Sequence, residues 1–158
     1  MENPCIVDDF IGLFWRLSFV TLNSFVFLFG QEKMVVSIGT DIVEIERVKK
    51  VLLRFGGRFV QRILTQGEIS EWHRRGCAEG FLARRFAAKE AISKALKTGI
   101  SESINFQDIS IKNDEKGAPF VVLSDKAGSL LESFGATRVL LSISDERSYA
   151  IAYAMIVS

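Results

Sequence analysis

FAAKEAISKAL, residues 86–96, is the segment around which the rest of the chain is organised. It lacks Gly and Pro and is rich in Ala, which predicts a helix that its neighbours extend over about 78–97. A helix with so many small side chains must be mostly buried. It nevertheless carries Glu90 and Lys94, which the four-residue spacing places on one face. Such a pair is usually a solvated ion pair, but at a buried edge it favours a metal or phosphate partner.

The patterns on either side of this helix predict an α+β domain. The predicted elements are, in order, a strand over 35–40 ending at Asp41, two short helices within 47–64 separated at Gly56-Gly57, a helix over 65–75, the long helix, strands over 106–111 and 120–123, a helix over 124–134, and strands over 139–144 and 149–157. The later strands come in pairs and regular βαβ alternation is missing. We therefore predict a small antiparallel sheet packed with helices.

The composition of the chain narrows the classes of function that it can have. A chain of 158 residues has room for one domain with a well-formed core. The net charge is +1 and no dense basic tract occurs, which argues against nucleic acid as a partner. No glycine-rich nucleotide loop is present. Cys5 and Cys77 form no disulfide framework, which predicts a reducing compartment, the cytoplasm, and the lone His73 is predicted to be a surface residue.

Residues 1–33 differ from the rest of the chain. They hold six of the 13 Phe, and 11–29 carries only Arg16 as a charge, over nearly the length of about 20 residues that crosses a bilayer. Acidic residues precede this span and no small-x-small cleavage site follows, which argues against a secretory signal. Three explanations stay open: translation that begins at Met34, a weak membrane anchor, or an extension packed on the domain. We favour Met34, because a strand follows it directly, and we predict the domain over 34–158.

Two segments resemble the holo-acyl-carrier-protein synthase family, the small 4′-phosphopantetheinyl transferases. They are IGTDIVEIER at 38–47 and RFAAKEAISKAL at 85–96, and the similarity continues through FQDI at 106–109, GAP at 117–119, LSIS at 141–144 and YA at 149–150. The resemblance covers essentially all of 34–158 and none of 1–33. It implies the family's α+β fold. It also implies transfer of 4′-phosphopantetheine from coenzyme A to a serine of apo-acyl carrier protein, with release of adenosine 3′,5′-bisphosphate, for fatty acid biosynthesis.

The resemblance also implies which residues form the site. Asp41 and Glu90 match the family's metal ligands, and two carboxylates plus substrate oxygens suit Mg²⁺. Lys94 matches the lysine that contacts phosphate and steadies the departing group, so these three form the predicted catalytic set. The acceptor proton would leave to a metal-bound water or to Asp41 through water. Arg85 and Lys89 match positions around the coenzyme A phosphates.

The resemblance implies two protein partners. Arg47 matches a position near the carrier-protein docking surface. Arg54, with Arg58 or Arg62 from the same stripe of arginines, would also meet the acidic carrier there. From its spacing alone, that stripe is either a solvated helix face or a docking face for an acidic protein. Residues 34–158 carry 18 basic and 15 acidic side chains, an excess that suits such a partner. The family forms trimers with coenzyme A between neighbouring subunits, which implies a homotrimer.

The chain departs from the family pattern at three positions. Asp145 stands where the family has His, Ala118 where Lys is frequent, and Lys97 where Gly is common. A carboxylate at position 145 would repel phosphate unless it faces Mg²⁺ or an arginine. A second hypothesis follows, that the protein is a non-catalytic module that binds a carrier protein or coenzyme A and has lost turnover through Asp145.

Overall fold

A computed structural model describes residues 34–101 and 103–158, and the predictions for residues 1–33 lie outside this part. Its elements are β1 (Val35–Glu44), α1 (Ile45–Phe55), α2 (Gly57–Ile63), α3 (Gln66–Arg74), α4 (Glu79–Ala95), β2 (Ile109–Asn113), β3 (Pro119–Leu123), α5 (Asp125–Ser133), β4 (Arg138–Asp145) and β5 (Tyr149–Val157). The predicted α+β class is confirmed. None of the helices among these residues combines the length and the apolar composition needed to cross a bilayer.

The strands form two antiparallel sheets. One has three strands in the order β1-β5-β4, and β2 and β3 pair as a separate hairpin. The strand predicted over 120–123 begins one residue earlier, at Pro119, where the missing N–H of proline is tolerated. The free edge of the hairpin lies beside β4.

The helix boundaries follow their local signals. Gly56 adopts a φ of +55° between α1 and α2, which accounts for the predicted break. Thr65 and Glu68 form a capping box at the start of α3, in which the Thr65 N–H donates to Glu68 Oε2 at 2.8 Å. The strand predicted over 106–111 instead begins with a single 3₁₀ turn, Phe106–Asp108.

The helix α4 is buried along nearly its whole length and packs against β1 and β5. The inaccessible alanines of this helix are Ala83, Ala87, Ala88, Ala91 and Ala95. The inward side of β5 is also built from alanines, Ala150, Ala152 and Ala154. Because these alanines carry only methyl groups, the helix backbone can approach the sheet closely where they face each other.

The closest approach of α4 to the sheet is at Gly39 in β1. A Cβ atom at this position would clash with the Ala91 carbonyl oxygen and would lie 2.6 Å from the Ala95 backbone nitrogen. Nearby, Ser37 Oγ donates to the Ala95 carbonyl oxygen at 2.6 Å, and so satisfies an acceptor at the end of the helix. The absence of a side chain at position 39 therefore sets the distance between strand and helix.

The strand β1 is longer than predicted. It was expected to end just before Asp41, but it continues to Glu44 because Ile42 and Val43 also pair with β5. Asp41 therefore lies inside the strand, opposite Ala152, and not at its tip. Since side chains alternate along a strand, Asp41 shares the α4 side of β1 with Gly39.

We expect Gly39→Ala to lower the free energy of unfolding by about 3 kcal/mol, the upper end for overpacking, because the clash is with helix backbone that cannot turn aside. Urea unfolding of the full chain followed by circular dichroism measures this. The matched control is Gly128→Ala in α5, where a Cβ meets nothing within 4 Å and the change should be neutral or slightly stabilising. Equal losses in both variants would contradict the close approach.

Candidate active site

Asp41, Glu90 and Lys94 come together where β1 crosses α4. Lys94 Nζ donates to Asp41 Oδ1 at 2.8 Å and to the Thr40 carbonyl oxygen at 3.0 Å. Glu90 precedes Lys94 by one turn and is electrostatically coupled to Asp41. The structure thus gathers the three predicted catalytic residues into one site, although Asp41 and Lys94 are 53 positions apart.

The carboxyl of Glu90 is half-buried and sits close to a like charge. Burial and the negative charge of Asp41 raise the pKa of Glu90, while Lys94 opposes the shift. Two mutually repelling carboxylates offer the hard oxygen donors that Mg²⁺ accepts, with its remaining positions left for substrate oxygens and water. No cluster of three or more His, Cys, Asp or Glu side chains suited to a metal occurs among residues 34–101 and 103–158. The donor set of Asp41 and Glu90 therefore fits Mg²⁺ held jointly with a substrate.

Lys89 faces away from this site. Its side chain is inaccessible, and Nζ donates to Glu68 Oε2 at 2.7 Å, to the Ile63 carbonyl oxygen at 2.7 Å and to the Phe106 carbonyl oxygen at 3.0 Å. Burial lowers the pKa of Lys89 and Glu68 opposes the shift. All three ammonium protons are engaged, so this geometry leaves none for the predicted coenzyme A phosphate. Lys89 instead lies at the junction of α2, α3 and α4, where its hydrogen bonds link the three helices.

Arg85 is also buried, but it faces a cavity of about 160 Å³. We call this space the arginine cavity; it is lined by Arg75, Phe81, Arg84, Arg85, Asn113, Gly117, Pro119 and Ile143. The Arg85 guanidinium lies 4.7 Å from the centre of the Phe81 ring and its Nη2 donates to Asn113 Oδ1 at 3.1 Å. Its Nε has no hydrogen-bond partner. Arg85 therefore lies where a small anion could reach it.

The arginine cavity concentrates positive charge. Burial lowers the pKa of Arg85, the carboxylates of Glu68 and Glu71 oppose the shift, and repulsion from Arg75 and Arg84 adds to it. Neither Arg75 nor Arg84 was among the site residues predicted from the sequence. The one local signal for Arg84 was a pair of adjacent arginines inside an otherwise buried helix.

Asp145 faces one of these arginines. Arg84 Nη1 donates to Asp145 Oδ2 at 2.5 Å, from α4 to the last residue of β4. The predicted condition for a carboxylate at this position, that it face an arginine, is therefore met. This pairing weakens the reason for treating Asp145 as a sign of lost function.

A second cavity, of about 550 Å³, adjoins Glu90. We call it the apolar cavity; it is lined by Val51, Phe55, Arg58, Phe59, Arg62, Ile63, Phe86, Glu90, Ile100 and Phe106. Of the predicted docking arginines, Arg58 and Arg62 line it directly. Arg47 lines a smaller neighbouring space of about 110 Å³, and Arg54 lies over the Phe55 ring at 5.0 Å.

The chain is similar to known proteins of one family. Residues 37–154 match the model of the 4′-phosphopantetheinyl transferase superfamily. A holo-[acyl-carrier-protein] synthase from Vibrio cholerae is 50% identical over 119 residues, which cover 75% of this chain and 94% of the relative. One from Shewanella amazonensis is 49% identical over 122 residues, which cover 77% and 98%.

Solved structures agree with these relatives. The crystal structure of holo-[acyl-carrier-protein] synthase from Neisseria meningitidis superposes with a TM-score of 0.74 at 40% identity, covering 78% of this chain and 98% of that one. The enzyme from Helicobacter pylori, solved in complex with coenzyme A, gives a TM-score of 0.67 at 36% identity, with coverage of 75% and 98%. The chain therefore belongs to the holo-acyl-carrier-protein synthase family of the 4′-phosphopantetheinyl transferase superfamily.

Proposed function

We propose that this protein transfers 4′-phosphopantetheine from coenzyme A to a serine of apo-acyl carrier protein, releasing adenosine 3′,5′-bisphosphate, and so prepares the carrier for fatty acid biosynthesis. The convergence of Asp41, Glu90 and Lys94 supports this most directly, because it combines a metal-binding pair with a cation for the leaving group. We place the reaction in the cytoplasm, since the exposed free thiol of Cys77 suits a reducing compartment.

The proposed transfer requires that the negative charge of the coenzyme A diphosphate be neutralised. Asp41 and Glu90 would hold Mg²⁺, which supplies neutralisation of the diphosphate oxygens when bound. Lys94 keeps its side chain half exposed while Asp41 and the Thr40 carbonyl fix the ammonium group. Its third N–H is directed by neither contact and can donate to the departing phosphate.

We expect the full chain, given coenzyme A, Mg²⁺ and apo-acyl carrier protein, to add about 340 Da to the carrier, the mass of the transferred group, as mass spectrometry would show. Asp41→Asn and Glu90→Gln should each slow transfer by about 100-fold or more, since each removes a charge from the metal site. The matched control is Glu44→Gln, an exposed carboxylate at the end of β1.

Two outcomes would contradict this proposal. A chain that binds coenzyme A but leaves the carrier unmodified would favour the non-catalytic module. Full activity in both carboxylate variants would overturn the metal assignment.

The apolar cavity supports a docking surface for the carrier protein. It opens beside Glu90, and Arg58 and Arg62 add positive charge to its lining. An acidic carrier would meet these arginines while an apolar side chain enters the cavity, with Arg47 and Arg54 as further predicted contacts. The acceptor serine would then arrive next to the carboxylates.

We expect Arg58→Glu and Arg62→Glu each to raise the KM for the carrier by about tenfold with kcat little changed, because charge reversal acts on the encounter and not on the chemistry. Steady-state kinetics at two salt concentrations measure this, and the effect should shrink at high salt. The control is Arg74→Glu, an exposed arginine at the end of α3. A drop in kcat with unchanged KM would contradict the docking assignment.

The outer face of the three-stranded sheet supports the homotrimer. It exposes a group of large apolar side chains: Ile38, Ile42, Leu140, Ile151 and Tyr153. Such a patch on a folded domain is typical of a subunit interface.

In addition, Arg85 and Glu90 are five positions apart on α4 and project about 140° from each other. One coenzyme A molecule would contact both most readily by lying between two subunits.

We expect sedimentation equilibrium of the full chain to give three times the mass of one chain. Ile151→Asp, which places a charge in the central strand of the exposed face, should yield monomers that keep their circular dichroism spectrum but lose transfer activity. The control is Leu53→Asp, an apolar residue on α1 that is more exposed than Ile151. A fully active monomer would contradict the trimer.

A further inference from the structure

We propose that Asp145 is a positioning residue for coenzyme A: by pairing with Arg84 it holds that guanidinium at the outer side of the arginine cavity, ready to receive a phosphate group. The inference rests on the proposed function, because it takes coenzyme A as the ligand that carries the phosphate. Asp145 acts through Arg84 and makes no contact with the ligand itself.

Both partners of the Arg84–Asp145 pair are carried on rigid elements. Arg84 projects from the first half of α4, and Asp145 is held in the ladder opposite Ala150 of β5. The side chains are only partly exposed, 29% for Arg84 and 37% for Asp145, and Nη1 lies 2.5 Å from Oδ2. A charge-assisted hydrogen bond between two such anchored residues restricts the guanidinium to one position.

Arg84 is held by one carboxylate, as Arg75 is, whereas Arg85 has several partners. Arg75 is paired with Glu71 at 2.7 Å. Arg85 donates to Asn113 and lies 3.8 Å from Glu68 and 3.9 Å from Glu71. In the part of the chain that the structure describes, Asp145 is the carboxylate that pairs with Arg84. Repulsion from Arg84 and Arg75 contributes, after burial, to the lowered pKa of Arg85. Without Asp145, Arg84 would lose the carboxylate that pairs with it, and we expect its side chain to move toward solvent.

The pairing with Asp145 leaves Arg84 able to bind an anion. A guanidinium has five N–H donors, and Asp145 accepts from Nη1. The remaining donors on Nε and Nη2 form the edge that can bind phosphate in a bidentate manner. Asp145 itself is not among the residues that line the arginine cavity.

The test is a double-mutant cycle on coenzyme A binding, measured by calorimetry on the full chain for the parent, Asp145→Ala, Arg84→Ala and the double variant. Each single change should weaken binding about fivefold, and the double variant should bind no more weakly than Arg84→Ala alone. Asp145→Glu should restore most of the affinity. In turnover, Asp145→Ala should raise the KM for coenzyme A and leave kcat unchanged.

A control variant and a second ligand test whether the effect is specific to Asp145 and to one phosphate group. Glu146→Ala, which removes the neighbouring carboxylate of the same turn, should bind coenzyme A as the parent does. Dephospho-coenzyme A distinguishes the source of the phosphate. If the effect of Asp145→Ala disappears with this ligand, the 3′-phosphate meets Arg84; if it persists, the diphosphate does.

Two results would overturn the inference. Equal weakening by Asp145→Ala with and without Arg84 would mean that Asp145 acts independently. Tighter binding by Asp145→Ala would mean that the carboxylate competes with phosphate. If Asp145→Ala does not fold, Asp145→Asn, which keeps the size and loses the charge, is measured in its place. A parent chain that does not bind coenzyme A would overturn the proposed function itself.

Discussion

The contact between the backbones of β1 and α4 controls the geometry of this domain. It exists because Gly39 has no side chain where a Cβ would meet the Ala91 carbonyl, and because the facing surfaces of α4 and β5 are lined with alanine. Backbones packed this closely have little freedom to slide. Asp41 follows Gly39 by two residues on the same side of the strand, so the contact that sets the fold also delivers Asp41 to Lys94. A site built on such rigid elements needs little reorganisation before it acts.

The helix α4 performs different tasks on its different sides. Toward α3 it presents Arg85 and Lys89, whose charges are buried against Glu68; toward β1 it presents Glu90 and Lys94. Since successive residues differ by about 100° around a helix, Lys89 and Glu90 are neighbours in sequence but belong to separate networks. A buried ion pair of this kind is costly to break from one side, which fixes how α2, α3 and α4 meet. The structural network thereby holds the helix that carries the proposed metal ligand.

The arginine cavity and the apolar cavity both lie against α4, and their linings differ in chemistry. The arginine cavity is small and rich in guanidinium groups, which suit a phosphate ligand. The apolar cavity is larger and carries arginines among aromatic side chains, which suit a protein partner. Glu90 lines the second cavity and lies away from the first. This division supports a reaction in which the donor and the acceptor approach the carboxylates from separate directions.

The sequence by itself determined the α+β class, the helices and their caps, and the shared face of Glu90 and Lys94, because these depend on propensity and spacing over a few residues. It also pointed to Asp41, from its place at the end of the predicted strand and from the family motif. The tertiary structure alone decided that Lys89 is buried while Lys94 is exposed, that β1 extends past Asp41, and that Asp145 meets Arg84, 61 positions away. Two lysines on one helix look alike to any local rule. Which one becomes buried depends on elements that reach the helix from distant parts of the chain, and those contacts exist only once the chain has folded.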